Sequence, residues 1–148
     1  DTNTAESLRL AFNNTIKTNF LFLHGDLYFN QETLLNIDYS KSFILIDDNN
    51  QFSDKEVGVT VNKNMASILS YGLPTKWAQI AYVTGKEVEI LKKIFNKFDD
   101  ISKKNLSFEI INKVISMGGC FQCYQPKKMS IIEIDCIKDL KNENINFK

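Results

Sequence analysis

The stretch "FLFLHGDLYF", residues 20–29, sets a carboxylate, Asp26, just beyond an apolar run that stops at Gly25. In open α/β sheets ligands bind in the crevice outside the carboxyl ends of the strands, and an acid one or two residues past a strand end projects into it. Gly25 adds room for backbone or ligand to approach closely. The plainer use of such an aspartate is to cap a turn or a helix. A second candidate is "IIEIDCIKDLK", where Glu133 and Asp135 alternate with Ile132 and Ile134, and Asp139 follows four residues after Asp135. On a strand Glu133 and Asp135 share one face. Carboxylates so placed can hold a divalent ion, and Mg²⁺ characteristically takes one or two carboxylates, several waters and substrate phosphates. Asp26 and Asp135 would then meet across the top of a sheet. The structural alternative has Asp135 capping a helix over 137–142, with Glu133 and Asp139 as solvated charges.

Other reactive residue types carry less. Cys120 and Cys123 form a C-x-x-C, but a strand turns positions i and i+3 to opposite faces, and no second such pair completes a zinc site. His24 is the single histidine; it either lines the crevice beside Asp26 or is a scaffold residue, and no serine or cysteine nucleophile is visibly paired with it. After the turn signal Gly72-Leu73-Pro74 come Lys76, Trp77 and Gln79, groups able to meet a phosphate or a ring, or equally a solvated lysine and a core tryptophan.

Composition narrows the class. The chain has 148 residues, 43% hydrophobic and 24% charged, with 11 phenylalanines; this is core material for one domain over 1–148 and excludes intrinsic disorder. Lys+Arg and Asp+Glu balance at 18 each, and no basic stripe interleaved with aromatics offers a source for nucleic-acid electrostatics. No apolar run nears the roughly 20 residues needed to span a bilayer, and no signal-like h-region opens the chain. A cytoplasmic protein with reduced thiols is expected, with neither nucleic acid nor membrane as partner.

The elements that must position these residues follow from periodicity. Asn3 or Thr4 caps a first helix, with Glu6 completing a capping box and Leu8, Ala11, Phe12 and Ile16 on one face. Strands are expected over 20–24 and 42–46, the latter apolar throughout and so covered on both faces, with a short helical stretch over 31–37 between them and a polar loop over 47–54. Runs over 57–61, 65–71 and 77–83, joined by short connections, suggest an antiparallel segment attached to the main sheet. Helices follow over 85–98 and 106–117, the second closed by Gly118-Gly119. Short strands over 120–124 and 129–134 and a terminal helix over 137–142 complete the reading. Alternating helices and apolar strands mean α/β with both sheet faces covered.

In order, "NTAESLRLAF", "FLFLHGDLYF" and "IIEIDCIKDL" resemble the sugar-phosphate and phosphocholine nucleotidyltransferases, most specifically in pairing "GDLYF" with a late "EID" and "DL". The resemblance implies a Rossmann-like three-layer sandwich with a mostly parallel mixed sheet. It implies Mg²⁺ held with a nucleoside triphosphate by Asp26 and Asp135, with Glu133 as supporting ligand. It sets Asn3, Thr4, Ser7 and Gly25 near the nucleotide, and Lys76 and Gln79 near a phosphorylated acceptor. The implied reaction is attack of a phosphomonoester, a sugar phosphate or a phosphocholine-like molecule, on the α-phosphate of an NTP, CTP being favoured by the short "EID" ending. Pyrophosphate leaves, and no protein nucleophile is needed.

The family's Gly-rich triphosphate loop has no counterpart among Gly25, Gly58, Gly72, Gly85, Gly118 and Gly119. The sequence therefore reads as the later part of such a domain, lacking the N-terminal strand–loop–helix units and on its own inactive, and an exposed central strand leaves oligomerisation open. Two rivals stand beside the enzyme: a metal-dependent glycosyltransferase using a nucleotide sugar, and a non-catalytic nucleotide-binding domain.

Overall fold

The structure is a computed structural model that describes residues 3–15, 18–48, 54–134 and 136. Its elements are α1 (Thr4–Asn13), β1 (Phe20–Leu23), β2 (Leu27–Phe29), β3 (Phe43–Asp47), β4 (Val57–Asn62), β5 (Met65–Tyr71), β6 (Thr75–Val83), α2 (Lys86–Phe95), α3 (Ser107–Ser116), β7 (Gln122–Tyr124) and β8 (Ile131–Glu133), with 3₁₀ turns at Gln31–Leu34 and Ser102–Lys104. Two of these, β2 and the Ser102–Lys104 turn, each three residues long, are not among the elements expected from periodicity. The helix expected over 137–142 lies outside the described residues.

Six strands form one sheet in the order β1-β6-β3-β7-β5-β4, and β4 also pairs with β6, so that β3, β7, β5, β4 and β6 close into a ring. The fold is mixed α/β with a mixed sheet. The expectation of a mostly parallel sheet is corrected: among the described pairings only β3–β7 is parallel, and β6 runs antiparallel to β1, β3 and β4. Local chain reversals are the cause. Lys63 and Asn64, both at positive φ, make the tight turn that matches strand twist and folds β4 back on β5, and Gly72 at φ +72° turns β5 toward β6.

β3 is buried along both faces, as its unbroken apolar run requires. Ile44 and Ile46 join Trp77, Ala81 and Val83 of β6 in a core covered by all three α-helices. Phe43 and Leu45 join Ala78, Ile80 and Tyr82 on the reverse face. Leu27, Phe29 and Ile131 of a β2–β8 ribbon and Leu34 of a 3₁₀ turn cover it, so the described residues supply no second helical layer.

In α1, Ala5, Leu8 and Phe12 are buried, whereas Ala11, expected on the same face, is exposed. Asn3 Oδ1 accepts from Thr4 N at 2.8 Å as a cap. The reciprocal half of the box goes elsewhere: Glu6 grips Arg9 through two contacts of 2.6 and 2.7 Å, and Asn3 N donates to Lys103 O. A charged guanidinium in reach is a stronger partner for the carboxylate than a backbone N–H. Asn112 of α3 ties the helix layer to β5 with a two-way clasp, accepting from Leu69 N at 2.8 Å and donating to Leu69 O at 2.7 Å.

Candidate functional site

The β2–β8 ribbon joins the two acidic motifs. Leu27 pairs with Glu133, Tyr28 with Ile132 and Phe29 with Ile131, and beyond the last pair Ile134 N donates to Asp26 O at 2.8 Å. More than a hundred residues of intervening chain therefore return to the Gly25-Asp26 turn. The Gln31–Leu34 turn buttresses the ribbon: Asn30 accepts from Thr33 N and Oγ1, Thr33 is fully buried, and Asn30 Nδ2 donates to Lys128 O. Asp135 and Asp139 lie outside the described residues.

Three adjoining lobes open along this end of the sheet. The first, of about 390 Å³, is lined by Gly25, Asp26, His24, Thr4, Ser7 and Ala11 among others, which explains why Ala11 leaves the core. The second, of about 170 Å³, shares Thr4, His24 and Ser107 with the first and adds Trp77, Gln79 and Glu133. The third, of about 90 Å³, shares Gln79 and Glu133 and adds Lys76, Glu56 and Asp47. A larger cavity of about 570 Å³ lies elsewhere, between residues 32–37 and 124–128. It gathers none of the candidate residues.

Gln79 owes its position to a bulge. Ile44 pairs with Ala81, but Ile46 pairs with Trp77, so β6 spends two extra residues opposite Leu45. Gln79 adopts φ +58° there, a conformation that costs an L-residue about 1–2 kcal/mol. Bulges beside sites re-aim side chains, and this one turns Gln79 into two of the lobes. Its carbonyl accepts from His24 N at 3.3 Å, and Trp77 Nε1 donates across the bulge to Ile80 O at 3.3 Å. Trp77 itself is a core residue, 1% exposed.

Lys76 is salt-bridged to Glu56 across the third lobe. Thr4 is half-buried and spends Oγ1 accepting from Ser107 N at 2.8 Å, tying the starts of α1 and α3 together. Ser7 is exposed on the Asp26 lobe, and Asn3 is committed to its cap. The sequence reading missed one pair: His24 Nε2 lies 2.9 Å from Ser107 Oγ, 83 residues on. It also passed over Asp47 and Glu56, which it placed in or beside a loop. Of the C-x-x-C, Cys120 is exposed, whereas Cys123 packs against the helix-side core and burial pushes its thiol up to about 11. Cys123 is a packing group.

No group of three histidine, cysteine, aspartate or glutamate side chains is placed to hold a metal among the described residues. What they offer is Asp26 exposed in one lobe and Glu133 half-buried in the next. The two carboxylates line different lobes and form no common donor set among the described residues; a single carboxylate such as Asp26 is compatible with Mg²⁺, which takes one or two carboxylates with waters and substrate phosphates.

The mixed α/β fold is similar to that of solved nucleotidyltransferase structures. No family model and no curated protein matches the chain, but solved structures do. The inositol-1-phosphate CTP transferase from T. maritima superposes with a TM-score of 0.72 at 14% identity, over 93% of this chain and 58% of that one. The nucleoside-diphosphate-sugar pyrophosphorylase from Vibrio cholerae gives 0.70 at 8% identity, over 95% and 64%. The CTP:phosphocholine cytidylyltransferase from Streptococcus pneumoniae gives 0.66 at 15% identity, over 96% and 62%. The chain thus spans about three-fifths of the length of these structures, and at such identities the likeness is one of fold.

Proposed function

We propose that this chain is the acceptor- and metal-binding part of an Mg²⁺-dependent nucleotidyltransferase that moves NMP from CTP or another NTP to a phosphorylated small molecule. The observation that supports the reading is the ribbon: it pairs Glu133 with Leu27 and the backbone of Ile134 with Asp26, so the two acidic motifs are neighbours in the fold although they are more than a hundred residues apart in the chain. The fold of the neighbours supports it.

In this reading Asp26 and Asp135 hold the metal with Glu133 in support, and Gly25 and Ser7 line the nucleotide lobe with Thr4 and Asn3 at its rim. Gln79 and Lys76 face the acceptor. A divalent ion held there would supply positive charge to offset that developing on the attacked phosphate. The chain's own work is positioning. Gln79 is held rigid by the bulge, Lys76 is oriented by Glu56, and the acceptor's phosphate oxygen is directed toward the α-phosphate in the adjoining lobe, the ordering that converts a bimolecular step into an effectively unimolecular one. No side chain need form a covalent bond.

The test is pyrophosphate release by the protein carrying this chain, with CTP and UTP, Mg²⁺ and a panel of phosphomonoesters. Asp26→Asn and Asp135→Asn are each expected to lower it by about 10²-fold or more, the scale set by removing one electrostatic contact to a developing charge. Undiminished release in both variants overturns the assignment. Release of a nucleoside diphosphate from a nucleotide sugar would mark a glycosyltransferase, and calorimetric CTP binding without product would mark a non-catalytic domain.

A further inference from the structure

His24 stands in the wall between the lobe that holds Asp26 and the lobe that holds Gln79 and Glu133. Three contacts fix it. Nε2 lies 2.9 Å from Ser107 Oγ, the ring meets Trp77 edge-on at 5.5 Å and 81°, and the backbone N–H donates to Gln79 O. Ser107 is 3% exposed and is anchored through its own N–H to Thr4 Oγ1, so the orienting hydroxyl cannot drift. Among the described residues no buried side-chain nitrogen or oxygen lacks a partner, and none of those residues supplies one to Nδ1. His24 lines both lobes, and Nδ1 is the ring nitrogen not turned to Ser107.

The walls around it say what it can meet. Trp77 and Phe108 are buried and Tyr71 stands edge-on to Phe108 at 85°, so they do not present the set of open aromatic faces that cages a quaternary ammonium. Charge does not single out a cation either, because Glu56 and Glu133 share the lobe with Lys55, and Glu56 is salt-bridged to Lys76. An imidazole nitrogen and the Gln79 amide exchange hydrogen bonds with a hydroxyl, which donates and accepts, and have nothing to exchange with a trimethylammonium group.

Resting on the nucleotidyltransferase reading, we propose that His24, oriented by Ser107, is the specificity-determining contact for the acceptor: its Nδ1 hydrogen-bonds an acceptor hydroxyl, so the groove selects hydroxyl-bearing phosphomonoesters over a quaternary-ammonium one. A site built to bond a substrate hydroxyl discriminates against analogues that lack it, because its polar group is then left unpaired.

His24 is the chain's single histidine, so its ring C–H signal is unambiguous in proton NMR. The protein is titrated at fixed pH, without nucleotide, with inositol 1-phosphate, phosphocholine and inorganic phosphate. Inositol 1-phosphate is expected to move the signal saturably and to bind about tenfold more tightly than phosphocholine, the ratio one net hydrogen bond supplies. His24→Phe keeps a ring beside Trp77 and should abolish that preference while leaving phosphocholine affinity unchanged. Ser107→Ala should reduce the preference and still bind both, and it serves if His24→Phe fails to give a folded protein by circular dichroism. Equal affinities in the wild type, equal losses for both ligands in the variants, or an unmoved signal with all three probes overturns the proposal. A protein that discriminates these ligands yet releases no pyrophosphate refutes nucleotidyl transfer alone, and one that releases pyrophosphate without discriminating refutes the role of His24 alone.

Discussion

Gly58→Ala should open the ring of strands that carries Lys76 and Gln79. A Cβ at residue 58 would lie 2.3 Å from Leu73 O and 2.8 Å from Leu73 C. Ordinary contact begins at 3.4 Å, so β4 and the β5–β6 turn must separate by 3.4 − 2.3 = 1.1 Å. Leu73 cannot yield by changing a rotamer, because the blocking atoms are backbone. Gly58 pairs with Ser70 of β5 on one side and Lys76 of β6 on the other, and the β4–β6 seam consists of only two residue pairs, Gly58 with Lys76 and Val59 with Thr75.

Losing that seam costs about 1 kcal/mol per net backbone hydrogen bond, and more where a buried group is left unpaired, for roughly 2–3 kcal/mol in total. Against the 5–15 kcal/mol typical of a domain this is a large fraction. At about 2–4 °C per kcal/mol for a chain of this size it lowers the melting temperature by about 4–12 °C. Thermal and urea unfolding followed by circular dichroism measure it, with Gly25→Ala as the control, since a Cβ at residue 25 meets nothing within 4 Å. If Gly58→Ala melts within about 1 °C of the parent, the seam does not hold the ring closed.

Gln79→Gly should remove the strain of the positive-φ bulge, so that it unfolds at the same or slightly higher urea concentration while binding phosphomonoesters more weakly; Gln79→Val, β-branched at φ +58°, should lose stability by about 1–2 kcal/mol or more. A thiol-labelling time course at pH 8 should modify the exposed Cys120 and Cys136 first and Cys123 last, because burial holds Cys123 protonated to about 11 from its ordinary 9.0. The sign for stability follows: the unfolded thiol ionises first, so this contribution is intact below pH 9 and is lost as pH rises toward 11. Cys123→Ala should show a shallower decline over that window in pH-dependent urea unfolding.

Long-range order in the sequence carried what periodicity and chain punctuation could encode. The long apolar runs mark β3, α2 and α3 because burial on one or two faces leaves a repeating pattern, and observed ends depart from the expected ones by one to three residues. The sheet's direction was less legible. Helices between strands suggest parallel crossovers, but hairpins at Lys63-Asn64 and Gly72 make β4, β5 and β6 reverse locally, and β6 then inserts between β1 and β3. No single stretch announces that insertion, because an antiparallel strand buried on both faces has the same composition as a parallel one.

The groove divides along the same line. Asp26 and Glu133 were visible because each abuts an apolar run, where a charge needs a reason. His24 with Ser107, and Glu56 with Lys76, were hidden because what defines them is a partner 83 or 20 residues away, and a hydrogen bond leaves no periodic trace. Gln79 is the intermediate case. Its neighbourhood drew attention through Lys76 and Trp77, yet nothing in "KWAQIAY" marks a residue at positive φ where glycine or asparagine is usual. A strained, non-glycine residue persists only where its surroundings over-determine it. Here they do: Trp77 spans the bulge to Ile80, His24 bonds the Gln79 carbonyl, and β3 pairs on both sides of it. The same three contacts that make the strain affordable set Gln79 beside His24, so the feature least legible in the sequence is one that shapes the lobe lined by both.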